Sequence, residues 1–209
     1  MRHIAGREDI EDLILDAVDV LLARFGYRKM TMEDVARQVG IGKGTIYLHF
    51  PGKEELILSH IDRIAARVAA RLRDIAASPA PHLSRLREML TARVLIRFDS
   101  VAHYSQSLSD LLASVRTAFL ARREGYFRTE AKEFEAVLRD GVRAGTIDCP
   151  DPKTVSRVLV QCTNSLLPYS LSARELGRRE EVASEAGRIA DLLIKGLAPC
   201  PKRPSRSKR

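Results

Sequence analysis

Tryptophan is absent from this 209-residue sequence, and the aromatic residues together make up only 5% of it. An aromatic cage for a quaternary cation has little to be built from. The three cysteines, Cys149, Cys162 and Cys200, are too few and too scattered for a disulfide framework, and no two form a CxxC pair. Cys162 reads as a small buried apolar side chain rather than a redox sensor. No apolar run approaches the roughly 18 residues that would span a bilayer, and residues 1–9 lack the apolar segment of a secretion signal. A cytoplasmic location with no membrane partner is expected.

Catalytic and metal-binding patterns are missing too. The five histidines (His3, His49, His60, His82, His103) show no HExxH or similar ligand spacing, and carboxylates do not cluster with them. Residues 40–44, Gly-Ile-Gly-Lys-Gly, are glycine-rich but follow no strand and lack the GK[ST] ending of a phosphate loop. No serine lies in a nucleophile elbow. The expectation is a protein that is not an enzyme and holds neither metal nor cofactor. No stretch alternates with period two for long enough to propose a sheet.

What the chain does have is positive charge, unevenly placed. The formal net charge is +8, but residues 1–53 carry eight basic and eight acidic side chains and sum to zero. The last eleven residues carry five basic groups and no acid, so most of the excess lies in a tail without periodicity, residues 199–209, expected to be disordered. Residues 24–53 hold six basic groups against Glu33 and Asp34, a local +4. That local excess bears on nucleic-acid binding more than the total does. The tail is either a solvated end or a nonspecific phosphate binder, and Arg2 and Arg7 could form an arm reaching the DNA backbone or minor groove.

Helical periodicity dominates the rest. Ile10, Leu13, Ile14, Ala17, Val18, Leu21, Leu22 and Phe25 make one apolar stripe that Gly26 closes. Leu56, Ile57, His60, Ile61, Ile64, Val68, Leu72 and Ile75 make another, ending before Pro79 and Pro81. Further helices are expected over about 82–98, 105–120, 122–144, 153–173 and 178–197. Residues 145–152 form a loop, with Asp151 placed to cap the helix after it.

Between the two stripes lies the informative stretch, residues 31–50. Thr31 followed three residues later by Asp34 is a capping box with Asp in place of Glu. Val35, Ala36 and Val39 form an apolar face, Gly40 ends the helix, Ile41 plugs the turn, and a short second helix begins near Lys43. This is a helix-turn-helix, in which Ala36 allows close crossing and Ile46 and Phe50 press into the first helix. Thr45, Tyr47, Leu48 and His49 fall largely on the other sides.

The runs T-x-x-x-V-A-x-x-x-G-I (residues 31–41) and G-T-I-Y-x-H-F-x-x-K-E-E-L (residues 44–56) resemble the DNA-binding domain of the tetracycline-repressor (TetR) family of bacterial regulators. The likeness covers about residues 8–60. It implies an all-α protein with a three-helix DNA-binding domain (1–53) and a helical effector-binding and dimerisation domain (54–198). It also implies that Lys43, Gly44, Thr45, Tyr47, Leu48 and His49 face the groove or phosphates. Thr31 and Lys53 would flank them on the backbone, and Met32 is a further candidate for base readout. Gly44 contributes no side-chain contact where many relatives place a larger residue. Leu48 offers a thymine methyl contact and no hydrogen bond. Tyr47 would lay its ring inward and turn its hydroxyl to a phosphate. His49 could equally cap the short helix, and Lys53 could be ordinary surface charge.

By the same resemblance the last two helices would pair with their copies. Val155, Leu159, Cys162 and Leu166 form one stripe, and Val182, Ala186, Ile189, Leu193 and Leu197 the other. Those stripes could instead close the chain's own core. Pro168 is expected to kink its helix against the carbonyl of Asn164. Phe98, His103, Tyr104, Phe119, Tyr126 and Phe127 are candidate lining residues for an effector pocket, with core packing as the alternative for each. The function implied is a repressor that binds a palindromic operator in double-stranded DNA as a homodimer and is released by a small lipophilic effector. The alternative is a nonspecific DNA-coating protein without an effector.

Overall fold

The computed structural model describes residues 7–170 and 177–199, and every regular element among them is helical. In chain order they are α1 (Arg7–Lys29), α2 (Met32–Val39), α3 (Lys43–His49), α4 (Lys53–Ala77), α5 (His82–Val101), α6 (Ser105–Arg143), α7 (Pro152–Cys162) and α8 (Arg179–Lys195). A short 3₁₀ turn, Ala102–Tyr104, joins α5 to α6, and two more, Asn164–Leu166 and Pro168–Ser170, come after α7. Apart from Pro199, the basic tail lies outside the described residues, as does Arg2.

The N-terminal helices form where their local chemistry directs. α1 loses helical geometry at Gly26 (φ 69°), the break its sequence announces, and buries Ile14, Ala17, Val18, Leu21 and Leu22. Leu13 and Phe25, read as part of the same stripe, are exposed, and Leu15 is buried in their place. α2 carries both halves of its capping box: Asp34 N–H donates to Thr31 Oγ1 at 3.1 Å, and Thr31 N–H donates to Asp34 Oδ2 at 3.1 Å. Gly40 ends α2 at φ 80°, a conformation costly for any residue with a Cβ. Its N–H and that of Ile41 both reach the Ala36 carbonyl at 3.0 Å. α4 opens with Glu54 and Glu55 in its first turn, where negative charge complements the helix dipole, and stops short of Pro79 and Pro81.

Two expectations fail in the C-terminal half. The helices expected over 105–120 and 122–144 are one 39-residue helix, α6, about 58 Å long at 1.5 Å per residue. Residues 119–123, Phe-Leu-Ala-Arg-Arg, hold no breaker. Conversely, the helix expected to run through a kink at Pro168 ends at Cys162. The cause is distant in sequence. Arg93 of α5 is completely buried, and its guanidinium donates to the carbonyl of Val160 at 2.9 Å, to Thr163 Oγ1, and to Asn164 Oδ1 at 3.1 Å. A planar five-donor group placed at a helix C-terminus takes up the Val160 carbonyl and the side chains of Thr163 and Asn164, which favours ending the helix there. Asp151 caps the other end of α7, accepting from Thr154 N–H at 3.1 Å.

One apolar core gathers α1, α2 and α3 with the start of α4, the end of α5 and the first half of α6. A second joins the far ends of α4, α5 and α6 to α7 and α8. The first core runs across residue 53 without a break, so α4 and α6 hold the helix-turn-helix and the body in one piece of packing.

Candidate nucleic-acid interface and the cavity behind it

α3 is seven residues long and is held by its apolar side. Ile46 is fully buried, Phe50 nearly so, and Ala36 lies buried in α2 beneath them. The opposite side is bare. Leu48 is 79% exposed and Tyr47 41%, with Lys43 and Gly44 also exposed and Thr45 half-buried. A Cβ at Gly44 would meet nothing within 4 Å, so α3 has open space on that face. Tyr47 therefore stands partly outward, not laid into the core. Lys43 forms an ion pair with Glu33 of α2, whose hydrogen bond raises the lysine's pKa above its ordinary value.

Three residues placed with this set by sequence reasoning sit elsewhere. Met32 is buried in the core and cannot touch a base. His49 is turned inward, its side chain 10% exposed, with Nδ1 3.1 Å from Glu11 Oε1 of α1. It ties α3 to α1, which neither of its two anticipated roles described. Lys53 lies with Nζ 4.2 Å from the centre of the Tyr27 ring and donates to the Tyr27 carbonyl; burial lowers its pKa. Thr31 is exposed, but its hydroxyl is engaged with Asp34 at 2.7 Å. The partners of His49 and Lys53 lie on α1, beyond what local spacing encodes, whereas the Thr31–Asp34 pair is the capping box read from the sequence.

Behind the helix-turn-helix, α4, α5, α6 and the turn at Pro168–Ser170 enclose an apolar cavity with about 60 Å³ of free space. Tyr104, Phe119, Tyr126 and Phe127 line it as expected. Phe98 is buried in the adjoining core instead. His103 faces away, its Nε2 3.6 Å from Asp19 Oδ1 of α1. The sequence reading missed Tyr169, Arg97 and Arg123, which also line the cavity. Tyr169 falls beyond the point where the helix expected over 153–173 ends, at Cys162, and an arginine in an apolar wall leaves no mark in local periodicity.

Two polar networks run from this cavity to the N-terminal helices. Tyr126 donates its hydroxyl to Asp62 of α4, and Arg122 donates to the other oxygen of Asp62 and to Glu55 at 2.8 Å. Glu55 lies in the first turn of α4, a few residues past α3. Burial, reinforced by the bond to Asp62, raises the pKa of Tyr126. On the other side the Tyr104 hydroxyl meets His60 Nε2 at 3.0 Å, and the same nitrogen lies 3.4 Å from Asp19. His60 is 1% exposed, and burial together with Arg63 and Arg67 pushes its pKa down to about 3, so it is neutral. Arg63 holds α1 through Asp16 at 2.7 Å and Asp19 at 3.4 Å.

Deeper still, Arg93 and Arg97 share Glu130 of α6. Arg93 Nε is 2.7 Å from its Oε2, and Arg97 Nη2 bonds to Oε1. Burial alone would raise the Glu130 pKa, but the two guanidinia outweigh it and hold the carboxyl below its usual range. The cluster fixes α5, α6 and the end of α7 together, one wall of the cavity included.

The stripes read as a dimer face divide in two. Leu159, Val182, Ala186 and Leu197 are buried inside the protomer, which removes them from any partner surface. Val155, Leu166, Ile189 and Leu193 are half-buried, and Cys162 is exposed. The outward apolar side chains on α7 and α8 are Val158 and Leu192, the latter 73% exposed. Among the described residues no group of three His, Cys, Asp or Glu side chains is placed to hold a metal, and no helix is long and apolar enough to cross a membrane.

The family model described as "Bacterial regulatory proteins, tetR family" matches residues 14–59, which span most of α1, all of α2 and α3, and the start of α4. The HTH-type transcriptional repressor KstR2 of Mycobacterium tuberculosis is 27% identical over 139 residues, a match covering 63% of this chain and 66% of the relative. Among solved structures, a transcriptional regulator from Cytophaga hutchinsonii superposes with a TM-score of 0.75 at 21% identity, covering 90% of this chain and 98% of its own. FadR of Bacillus subtilis, solved in complex with stearoyl-CoA, superposes with a TM-score of 0.62 at 16% identity over 88% of this chain and 98% of its own. At such identities the structural likeness speaks for the fold, while the matched helix-turn-helix and the sequence relatives speak for the lineage. Residues 14–59 carry the helix-turn-helix of the tetR family of bacterial regulatory proteins, and the chain is similar to regulators of that family.

Proposed function

We propose that this protein is a ligand-responsive transcriptional repressor that binds DNA through the exposed face of α3. The observation that carries the reading is the pairing of that face with a cavity wired to it. Lys43, Gly44, Tyr47 and Leu48 stand bare on a short helix locked from behind. The next helix, α4, is bonded through Asp62 and Glu55 to side chains on and beside the cavity wall. KstR2 is named a repressor, which supports that role, and the FadR neighbour was solved with stearoyl-CoA, which supports an effector with a large apolar part. A DNA-coating role without an effector gives the cavity and its links no task.

The mechanism derives from the links. A two-fold dimer presents two α3 helices to successive major grooves, which requires a separation of about 34–36 Å. An effector larger than the free space of about 60 Å³ presses α4 away from α6, because those helices supply much of the wall. Movement of α4 carries the end of α3 with it. An effector favouring the wrong separation by about 1–3 kcal/mol loosens DNA about 5- to 150-fold, and by linkage DNA loosens the effector equally.

The test is a salt titration of full-length protein on a duplex from the region beside its own gene and on a random duplex. A repressor holds a specificity ratio of at least about 10³. Equal affinities that fall together with salt would refute sequence-specific repression and leave only backbone binding.

A further inference from the structure

Arg123 stands where two spaces meet. It lines the apolar cavity, and together with Phe127 it also lines a surface groove of about 430 Å³ between α6 and α7. The groove adds Arg128, Arg157 and Gln161, and its acid, Glu124, is already paired with Arg128 at 3.1 Å. Arg123 lies over two rings, 5.7 Å from the centre of Phe127 and 5.5 Å from that of Tyr169. Neither Arg123 nor Arg157 has a carboxylate partner among the described residues. The neighbouring arginines Arg93, Arg97 and Arg122 are all bound to carboxylates. At the same junction the Tyr169 hydroxyl is buried without any hydrogen-bond partner. Buried polar atoms are nearly always paired, so an orphan beside an unneutralised guanidinium marks a place where a ligand's polar group belongs.

We propose that the effector is an anionic amphiphile. Its apolar chain enters the cavity, a polar group near the head meets the Tyr169 hydroxyl, and a phosphate or carboxylate lies in the groove against Arg123 and Arg157. The proposal rests on the reading of the cavity as the effector site and assigns the chemistry of both ends. The cavity's free space is about 60 Å³, so an alkyl chain that enters it fully spreads the helices that wall it. That spreading is the displacement of α4 that release of DNA requires. A neutral lipophile would make the same wedge but would leave two cations and a hydroxyl unanswered.

Isothermal titration of the full-length protein with lauroyl-CoA, laurate and dodecanol, all below their micellar concentrations, tests this. The two anions should bind at least about tenfold more tightly than the alcohol, the expected worth of a charge-assisted contact. The Arg123→Gln/Arg157→Gln double variant should bring them down to the alcohol's affinity without weakening the alcohol. Arg139→Gln, on an exposed arginine of α6 paired with Glu135, should change nothing. A preference for lauroyl-CoA over laurate identifies a phosphate head, and the reverse a carboxylate. Equal binding of dodecanol, anion binding that survives the double variant, a loss shared equally by the alcohol, or no anion binding by the wild type would each overturn the proposal. The same preparations titrated with the specific duplex alone separate the two readings. Specific DNA binding without anion preference sinks only the amphiphile, whereas absence of specific DNA binding sinks the repressor on which it rests.

Discussion

Glu33 sits beside the exposed face of α3 and holds the ammonium of Lys43, which in the proposed DNA complex a phosphate would take. Both side chains are largely in water, so the pair costs DNA little. Glu33→Gln should tighten binding a few-fold and steepen its salt dependence by about one counterion, as anisotropy at several salt concentrations would show; an unchanged slope would place Lys43 away from the phosphates. His60 presents a different residue-scale effect. It is buried and neutral with a pKa near 3, against 6.5 in the unfolded chain. Tyr104, Asp19, Arg63, Arg67 and His103 surround it. Above pH 6.5 both states carry a neutral ring and His60 adds no pH dependence. Below that the unfolded chain takes up a proton that the folded chain refuses. Stability should therefore fall as pH drops from 6.5 towards 3, by about 1.4 kcal/mol per unit from this group. Burial raises the pKa of Asp19, which gives it the opposite sign near the acid end, so the upper part of the window reports His60. Urea midpoints against pH for wild type and His60→Gln should differ in slope there; parallel curves would show that His60 titrates normally.

At the scale of elements, the link between cavity and α3 runs through α4, and Asp62 is its shared point. Tyr126 and Arg122 both lean on that carboxylate. Asp62→Asn keeps the shape and removes the charge. The loosening of DNA by lauroyl-CoA should shrink from the ~5- to 150-fold range expected of an allosteric effector to a few-fold, while binding without effector persists. An unaltered ratio of DNA affinities with and without lauroyl-CoA would show that the signal travels elsewhere. This scale also shows what a sequence can and cannot say. The helix-turn-helix was legible because its determinants are local: a Thr–Asp cap, a glycine at positive φ, and apolar residues three and four apart. The end of α7 was not, because the guanidinium that stops it arrives from Arg93, some 70 residues earlier. For the same reason His49 and Lys53 were misplaced, their partners Glu11 and Tyr27 lying on α1. Four of the six cavity candidates were legible as aromatics on the right helices, but the arginines and Tyr169 depend on how the helices cross.

For the whole molecule, the continuous packing from α1 through α6 means that the DNA-binding helices move as part of the body. The proposed repressor would work as a pair, since a two-fold operator needs two α3 helices. The side chains left for the partner on α7 and α8 are the outward ones, Val158, Cys162 and Leu192, and not the inner stripe that closes the protomer. Leu192→Glu should shift the protein from dimer to monomer in sedimentation velocity without lowering its melting temperature. A dimer that survives would put the interface on another face. The central claim, that α3 enters the groove with its exposed face, is tested most directly by Leu48→Asp. Leu48 is 79% exposed, so a charge there does not disturb packing but meets the negative field of DNA. Affinity for the specific duplex, measured by anisotropy at one salt concentration, should fall at least about 100-fold, with an unchanged melting temperature. Specific binding equal to wild type would mean that α3 does not face the groove, and the account would fail.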